Sequence, residues 1–212
     1  MTVLTPRPLG WRKPVPRAGV FLPMRTLVLI DGQNLYRLAM RAFGPGRPYH
    51  WPSYDVVKLA AALASTTSGR TVSAIRFYTG VPHQSQDAPW HRFWNNKLRA
   101  MQRQGVYVYR GRLRAYGQDI KEKGVDVSLA IDLVQATHQQ SYDHAIIVSQ
   151  DADLAPAVAL ARQVAQSQAR TISLQSAVPL VPGLRLFGIH GATLLPIDKA
   201  LYDACLDLTD YR

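Results

Sequence analysis

The chain has 212 residues, 47% of them hydrophobic, enough to bury one core of ordinary domain size. Twenty-five Lys and Arg against 14 Asp and Glu give a formal net charge of +11 and a pI near 10.1, which selects an anionic partner such as a phosphate backbone or an acidic membrane face. The single cysteine, Cys205, excludes an intramolecular disulfide and a cysteine-based zinc site and suits a reducing cytoplasm, and no apolar stretch approaches the roughly 20 residues of a membrane span.

Residues 1–24 read as a separate basic, Pro-rich tail. They hold Arg7, Arg12, Lys13 and Arg17 among five prolines and no acid, a composition that leaves a chain disordered. The Gly19–Leu22 run is too short for a secretory h-region. Residues 25–212 are expected to form one domain, and strand and helix patterns alternate along it. A strand at Thr26–Ile30 precedes a helix from about Gln33 to Phe43, and Gly44-Pro-Gly-Arg-Pro48 marks a loop. A second helix, from about Tyr54 to Thr66, has Val56, Val57, Leu59, Ala60 and Leu63 on one face, with Ser53 available as its cap. Thr71–Tyr78 alternates as a strand. Ala88–Gln104 reads as a helix that buries Trp90, Phe93, Trp94, Leu98 and Met101 and stops at Gly105. Val106–Tyr109 is a third strand, and Val125 to about Gln139 a helix with Val127, Ala130, Ile131 and Val134 inward. A strand at Ala145–Ser149, a helix at Leu154–Gln166 and a strand at Thr171–Leu174 follow. Leu184–Leu195 is expected to hold a short helix and an extended piece, and Asp198–Leu208 a final helix. This rhythm predicts an α/β fold with a mainly parallel sheet and helices on both faces.

Acids stand where such a sheet places its site, at the carboxyl ends of strands. Asp31 ends the first apolar run, in Asp31-Gly-Gln-Asn34; Asp151 and Asp153 follow Ala145–Ser149, in Ser149-Gln-Asp-Ala-Asp153. Asn34 suits a polar orienter at the helix start, and Asp153 a cap for the Leu154 helix. Asp126, in Lys121-Glu-Lys-Gly-Val-Asp126, opens a helical pattern behind two lysines suited to gripping a phosphate. Carboxylates gathered together repel unless a hard cation holds them, and Mg²⁺ or Mn²⁺ takes such oxygen ligands. Asp132, six residues after Asp126, lies on another side of a helix of about 3.6 residues per turn and reads as supporting or structural. Asp55, Asp87, Asp143 and the acids from Asp198 to Asp210 read as caps and solvated faces.

Competing metal chemistries lack their partners. A haloacid dehalogenase-type phosphatase needs Asp-x-Asp on the first strand, and a toprim site needs a Glu there, whereas the only Glu in the chain is Glu122.

The three blocks, Asp31-Gly-Gln-Asn-Leu, Lys121–Asp126 with the apolar helix behind it, and Val148-Ser-Gln-Asp-Ala-Asp153, resemble the signature blocks of NYN domains in the PIN-like nuclease superfamily, in the same order, over about Arg25 to Leu174. The resemblance implies a three-layer α/β/α sandwich with a mainly parallel central sheet. It also implies Mg²⁺- or Mn²⁺-dependent endonucleolytic cleavage of RNA by Asp31, Asp126, Asp151 and Asp153, with Asn34 beside Asp31. The last block departs from the family pattern at Gln150 and Ala152, and no early helix supplies the Glu found in many relatives.

Between His91 and Lys123 nine Lys or Arg stand against two acids. Arg110, Arg112 and Arg114, with Lys121 and Lys123, are expected to track a phosphate backbone, and Tyr107, Tyr109 and Tyr116 to stack on unpaired bases. RNA is the expected partner, with DNA not excluded and no membrane. Monomer and homodimer are both open. The alternatives are an RNA-binding regulatory module with weak turnover and, from another class, a metal-dependent phosphatase.

Overall fold

The computed structural model describes residues 24–44, 54–116 and 119–211, with side chains for all of these except 112–123. Seven strands form one sheet: β1 (Met24–Asp31), β2 (Arg70–Gly80), β3 (Tyr107–Tyr116), β4 (Asp119–Lys123), β5 (His144–Val148), β6 (Ser173–Pro179) and β7 (Thr193–Ile197), in the order β4-β3-β2-β1-β5-β6-β7. Six run parallel; β4 alone is antiparallel and pairs with the outer part of β3. From the central β1 the chain builds outward to β2 and β3, then crosses back and builds the other way from β5. The order therefore reverses between β1 and β5, the point at which an open sheet leaves a crevice beyond its carboxyl ends.

Alternation along β1 explains the layering. Val28 and Ile30 enter one core with α1 (Gly32–Phe43), α2 (Val56–Ser65), α3 (Ala88–Arg103) and α6 (Lys199–Ala204), while Leu27 and Leu29 enter a second with α4 (Val125–His138) and α5 (Ala155–Ser167). All six residues from Thr26 to Asp31 are buried, as expected of a parallel strand covered on both faces. This is the expected three-layer α/β/α sandwich.

Several elements differ from expectation. The strands β2, β3 and β6 run longer than the sequence predicts. The basic stretch after Tyr109 continues β3 and pairs antiparallel with β4, in a register that places Arg112 opposite Lys123 and Arg114 opposite Lys121. In α4 the buried stripe is Val125, Leu129, Leu133, Ala136 and Thr137, whereas Val127 and Ile131 are 62% and 58% exposed. The first ten residues of α4 are apolar on most sides, so their pattern admits two stripes, and packing against α5 and the sheet chooses one. No helix forms between Leu184 and Leu195; β7 takes the end of that segment. Asp55, rather than Ser53, caps α2, accepting from the Val57 and Lys58 N–H groups. Asp87 and Asp198 cap α3 and α6, as their positions predict. Met24, assigned to the tail, is the first residue of β1. The rest of the tail, the 45–48 loop and Ser53 lie outside the described residues.

The C-terminal segment is anchored through Lys97. This lysine is only 4% exposed, donates to the Tyr54 carbonyl at 3.0 Å and to Asp207 at 3.2 Å, and lies over the rings of Tyr54 and Tyr211. It was counted from sequence in the basic strip; burial removes it from the nucleic-acid surface. No helix among the described residues is long and apolar enough to cross a membrane.

Candidate metal and catalytic site

Asp31 is the last residue of β1 and the N-cap of α1, so one side chain both ends the strand and starts the helix. Its Oδ1 accepts from the Asn34 N–H at 3.0 Å and its Oδ2 from the Ser149 hydroxyl at 3.3 Å, across from β1 to the end of β5. The same hydroxyl accepts from the Asp151 N–H at 3.1 Å. Asn34 completes the link in the other direction, its Oδ1 accepting from the Gln150 N–H at 3.2 Å. Ser176, on β6, donates to the Ser149 carbonyl at 2.7 Å and holds this turn from behind. The two acidic turns are thus fastened to each other. Gly32 lets α1 approach this closely: a Cβ there would come within 2.6 Å of the Phe77 ring and 3.0 Å of the Tyr78 carbonyl.

Asp151 caps a single 3-10 turn, Ala152–Leu154, by accepting from the Asp153 N–H at 3.0 Å. The cap is therefore Asp151 rather than Asp153, and α5 begins behind Leu154 without a side-chain cap. Ala152 is accommodated inside this turn, and Gln150 contributes its backbone N–H. Asp126 lies in the first turn of α4, entered through Gly124 in the left-handed region at φ +85°. Asp132 is not part of the cluster; it accepts from the Tyr78 hydroxyl at 2.6 Å and pairs with Arg76 at 3.1 Å.

Asp31 is 4% exposed, and burial, reinforced by the charges of Asp126 and Asp151, pushes its pKa up to about 6 against the opposing hydrogen bonds from Asn34 and Ser149. Asp126 is likewise raised, by desolvation first and then by Asp151 and Asp153. Asp31 thus lies in the fields of Asp126 and Asp151, and Asp126 in those of Asp151 and Asp153. Among the described residues, however, no three His, Cys, Asp or Glu side chains form a ready-made group around one metal position. The donors are hard oxygens, and their mutual repulsion is of the kind a divalent cation relieves. Hard oxygens of this kind are the donors that Mg²⁺ or Mn²⁺ takes.

Of the basic residues, Arg110 is exposed in β3, one residue before its pairing with β2 ends, and donates to Asn95 Oδ1 at 2.8 Å. Arg112, Arg114, Lys121 and Lys123 lie on the β3–β4 ribbon, which leads through Gly124 into the helix of Asp126. Tyr107 is 51% exposed with the Arg76 guanidinium over its ring, whereas Tyr109 is half-buried against Tyr78. Ser149 and Ser176 were given no role from sequence. Ser149 stands next to the Asp151 turn in the sequence, a signal that could have found it, whereas Ser176 carries no local signal.

No curated protein matches the chain. Among solved structures, a protein of unknown function from Vibrio parahaemolyticus is similar in fold, with a TM-score of 0.53 and 18% identity over 84% of this chain and 95% of that one. The NYN domain family pattern matches residues 25–172, a span running from β1 through both acidic turns to the edge of β6. With three acidic positions at the reversal point of a PIN-like sheet and the family pattern over most of its length, the chain belongs to the NYN domain family of the PIN-like nuclease superfamily.

Proposed function

We propose that the protein is a Mg²⁺- or Mn²⁺-dependent endoribonuclease acting on single-stranded or structured RNA, in a cytoplasmic setting consistent with its lone, buried, free Cys205. The observation that carries this reading is Asp31, buried at the end of the central strand and held above the usual carboxylate range by burial and by two further acids. A site that raises the cost of its own negative charge is poorly suited to a polyanion unless a cation is bound there. Asp31, Asp126, Asp151 and Asp153 would hold that cation. Bound there, it would polarise a phosphate oxygen and lower the pKa of an attacking water.

The protein's own groups do the positioning. Ser149 and the Asn34 N–H fix both oxygens of Asp31, and Asn34 fixes the backbone of the turn that carries Asp151. Arg110, Arg112, Arg114, Lys121 and Lys123 are assigned to the phosphates on either side of the scissile one. Hydrolysis would leave 5′-phosphate and 3′-hydroxyl ends.

That no three His, Cys, Asp or Glu side chains form a ready-made metal group among the described residues favours a second reading, an RNA-binding module with little turnover. Purified protein incubated with labelled single-stranded RNA, single-stranded DNA and duplex, in Mn²⁺ or EDTA, separates the two. Endonucleolytic cleavage in Mn²⁺, absent in EDTA and reduced at least a hundredfold in Asp151→Asn, is expected. Equal cleavage by that variant would rule out the nuclease assignment, and binding without cleavage would support the module.

A further inference from the structure

Sequence spacing reads Trp90, Phe93 and Trp94 as core. Phe93 is buried, but Trp90 and Trp94 are only half-buried, and with Gly32, Gln33, Tyr36 and Thr79 they line a cavity of about 180 Å³. Two of these residues directly follow Asp31, and Thr79 lies near the carboxyl end of β2, so the cavity opens at the same end of the sheet as the acidic site. None of the catalytic roles assigned above uses it.

Its walls are shaped for a flat ring. The Trp90 and Trp94 rings meet edge to face, at 79° with centroids 5.9 Å apart, so the two indoles enter the wall at a steep angle to each other. Both rings are held by a second aromatic. Phe93 stacks on Trp90 at 4.7 Å with planes 10° apart, and Phe77 stacks on Trp94 at 6.2 Å and 27°. Among the lining residues, the Gln33 amide carries both a donor and an acceptor, the pair needed to read the polar edge of a heteroaromatic ring. The volume falls below the roughly 300–1,000 Å³ of pockets for drug-sized ligands and suits a single ring system.

We infer that this cavity is a base pocket: it takes one unpaired nucleobase of the RNA, from the nucleotide flanking the phosphate at Asp31, by stacking on Trp90 and Trp94 with Gln33 on the base edge. The inference rests on the reading of the acidic site as one that receives an RNA phosphate. It adds a position-specific contact to a surface whose other contacts are to phosphate, so cleavage would favour RNA with an extrudable base at that position.

The test uses the full chain and a short fluorescein-labelled single-stranded RNA in which the bases are removed one position at a time. Binding is followed by anisotropy with Ca²⁺ in place of Mn²⁺, a divalent cation that takes the same oxygen ligands, before any cleavage of the probe. Base loss at one position is expected to weaken binding roughly tenfold or more, and this sensitivity should vanish in Trp90→Leu. Gln33→Ala leaves the aromatic walls intact, and so serves if Trp90→Leu does not fold. It should change which of the four bases is preferred at that position. A flat abasic profile, or base preferences identical in wild type and Gln33→Ala, would overturn the pocket. Cleavage of the same RNA in Mn²⁺ separates the two ideas. Cleavage with a flat binding profile refutes the pocket alone, whereas position-dependent binding without cleavage refutes the nuclease assignment and leaves the pocket standing.

Discussion

Asp31 is where burial and charge act most directly against each other. Its pKa of about 6 lies above the ordinary aspartate value of 3.8, so the protonated form is favoured by folding. Its contribution to stability is fully present below pH 3.8 and lost as pH rises through about 6, a loss of roughly 3 kcal/mol by neutral pH. His144 acts in the opposite sense. Burial, then the nearby Arg70, lowers its pKa to about 4, so its contribution is present above 6.5 and lost as pH falls toward 4. The two effects oppose each other across nearly the same window. Asp31→Asn keeps a capping oxygen and removes the charge. In EDTA at pH 7 it is expected to melt at a temperature equal to or above that of wild type, with a Tm that falls more steeply on acidification because His144 then acts unopposed. Mn²⁺ should raise the wild-type Tm at pH 7, less so at pH 5 where protons compete for Asp31, and should leave the variant's Tm nearly unchanged. Melting curves by circular dichroism check all three; a Mn²⁺ shift preserved in the variant would remove Asp31 from the metal site.

At the scale of elements, two close fits fix the geometry around the acids. The first is α1 against β2. A methyl group at Gly32 would meet the Phe77 ring and the Tyr78 carbonyl, and backbone cannot yield as a flexible side chain can. Gly32→Ala is therefore expected to cost about 1–3 kcal/mol in urea denaturation and to lower activity further, since any shift of α1 moves Asp31 and Asn34 together. The second is α3 against the C-terminal segment, through the buried Lys97–Asp207 pair, whose side chains are 4% and 11% exposed. Lys97→Ala leaves Asp207 and the Tyr54 carbonyl without their cation and should cost roughly 3 kcal/mol or more. Because it lies away from the phosphate-facing residues, the salt dependence of RNA binding by the folded fraction should not change. A reduced salt slope would instead place Lys97 on the RNA surface. Neither fit was legible in the sequence. The Phe77 ring that excludes a Cβ is 45 residues from Gly32, and a lysine among arginines on an amphipathic helix carries no local mark of burial.

At the scale of the molecule, the strand order of the parallel sheet reverses between β1 and β5 and places the Asp31 and Asp151 turns side by side. The sequence by itself determined the alternation of strands and helices, the α/β class and the position of acids just beyond two buried strands. These are local properties, set by hydrophobic period and by the residue that ends each run. It also carried the blocks that resemble an NYN domain. The tertiary structure decided what depends on contacts between distant residues. Asp31 and Ser149 are 118 positions apart, as are Thr26 and His144, and Asn34 and Gln150 are 116 apart. Only the pairing of β1 with β5 brings such residues within hydrogen-bond reach. Packing likewise selected the buried stripe of α4, where an almost uniformly apolar segment gave the period no phase. It also left Trp90 and Trp94 at the rim of a cavity rather than in the core, because helical spacing states which residues share a face and only the neighbouring elements decide how completely that face is covered.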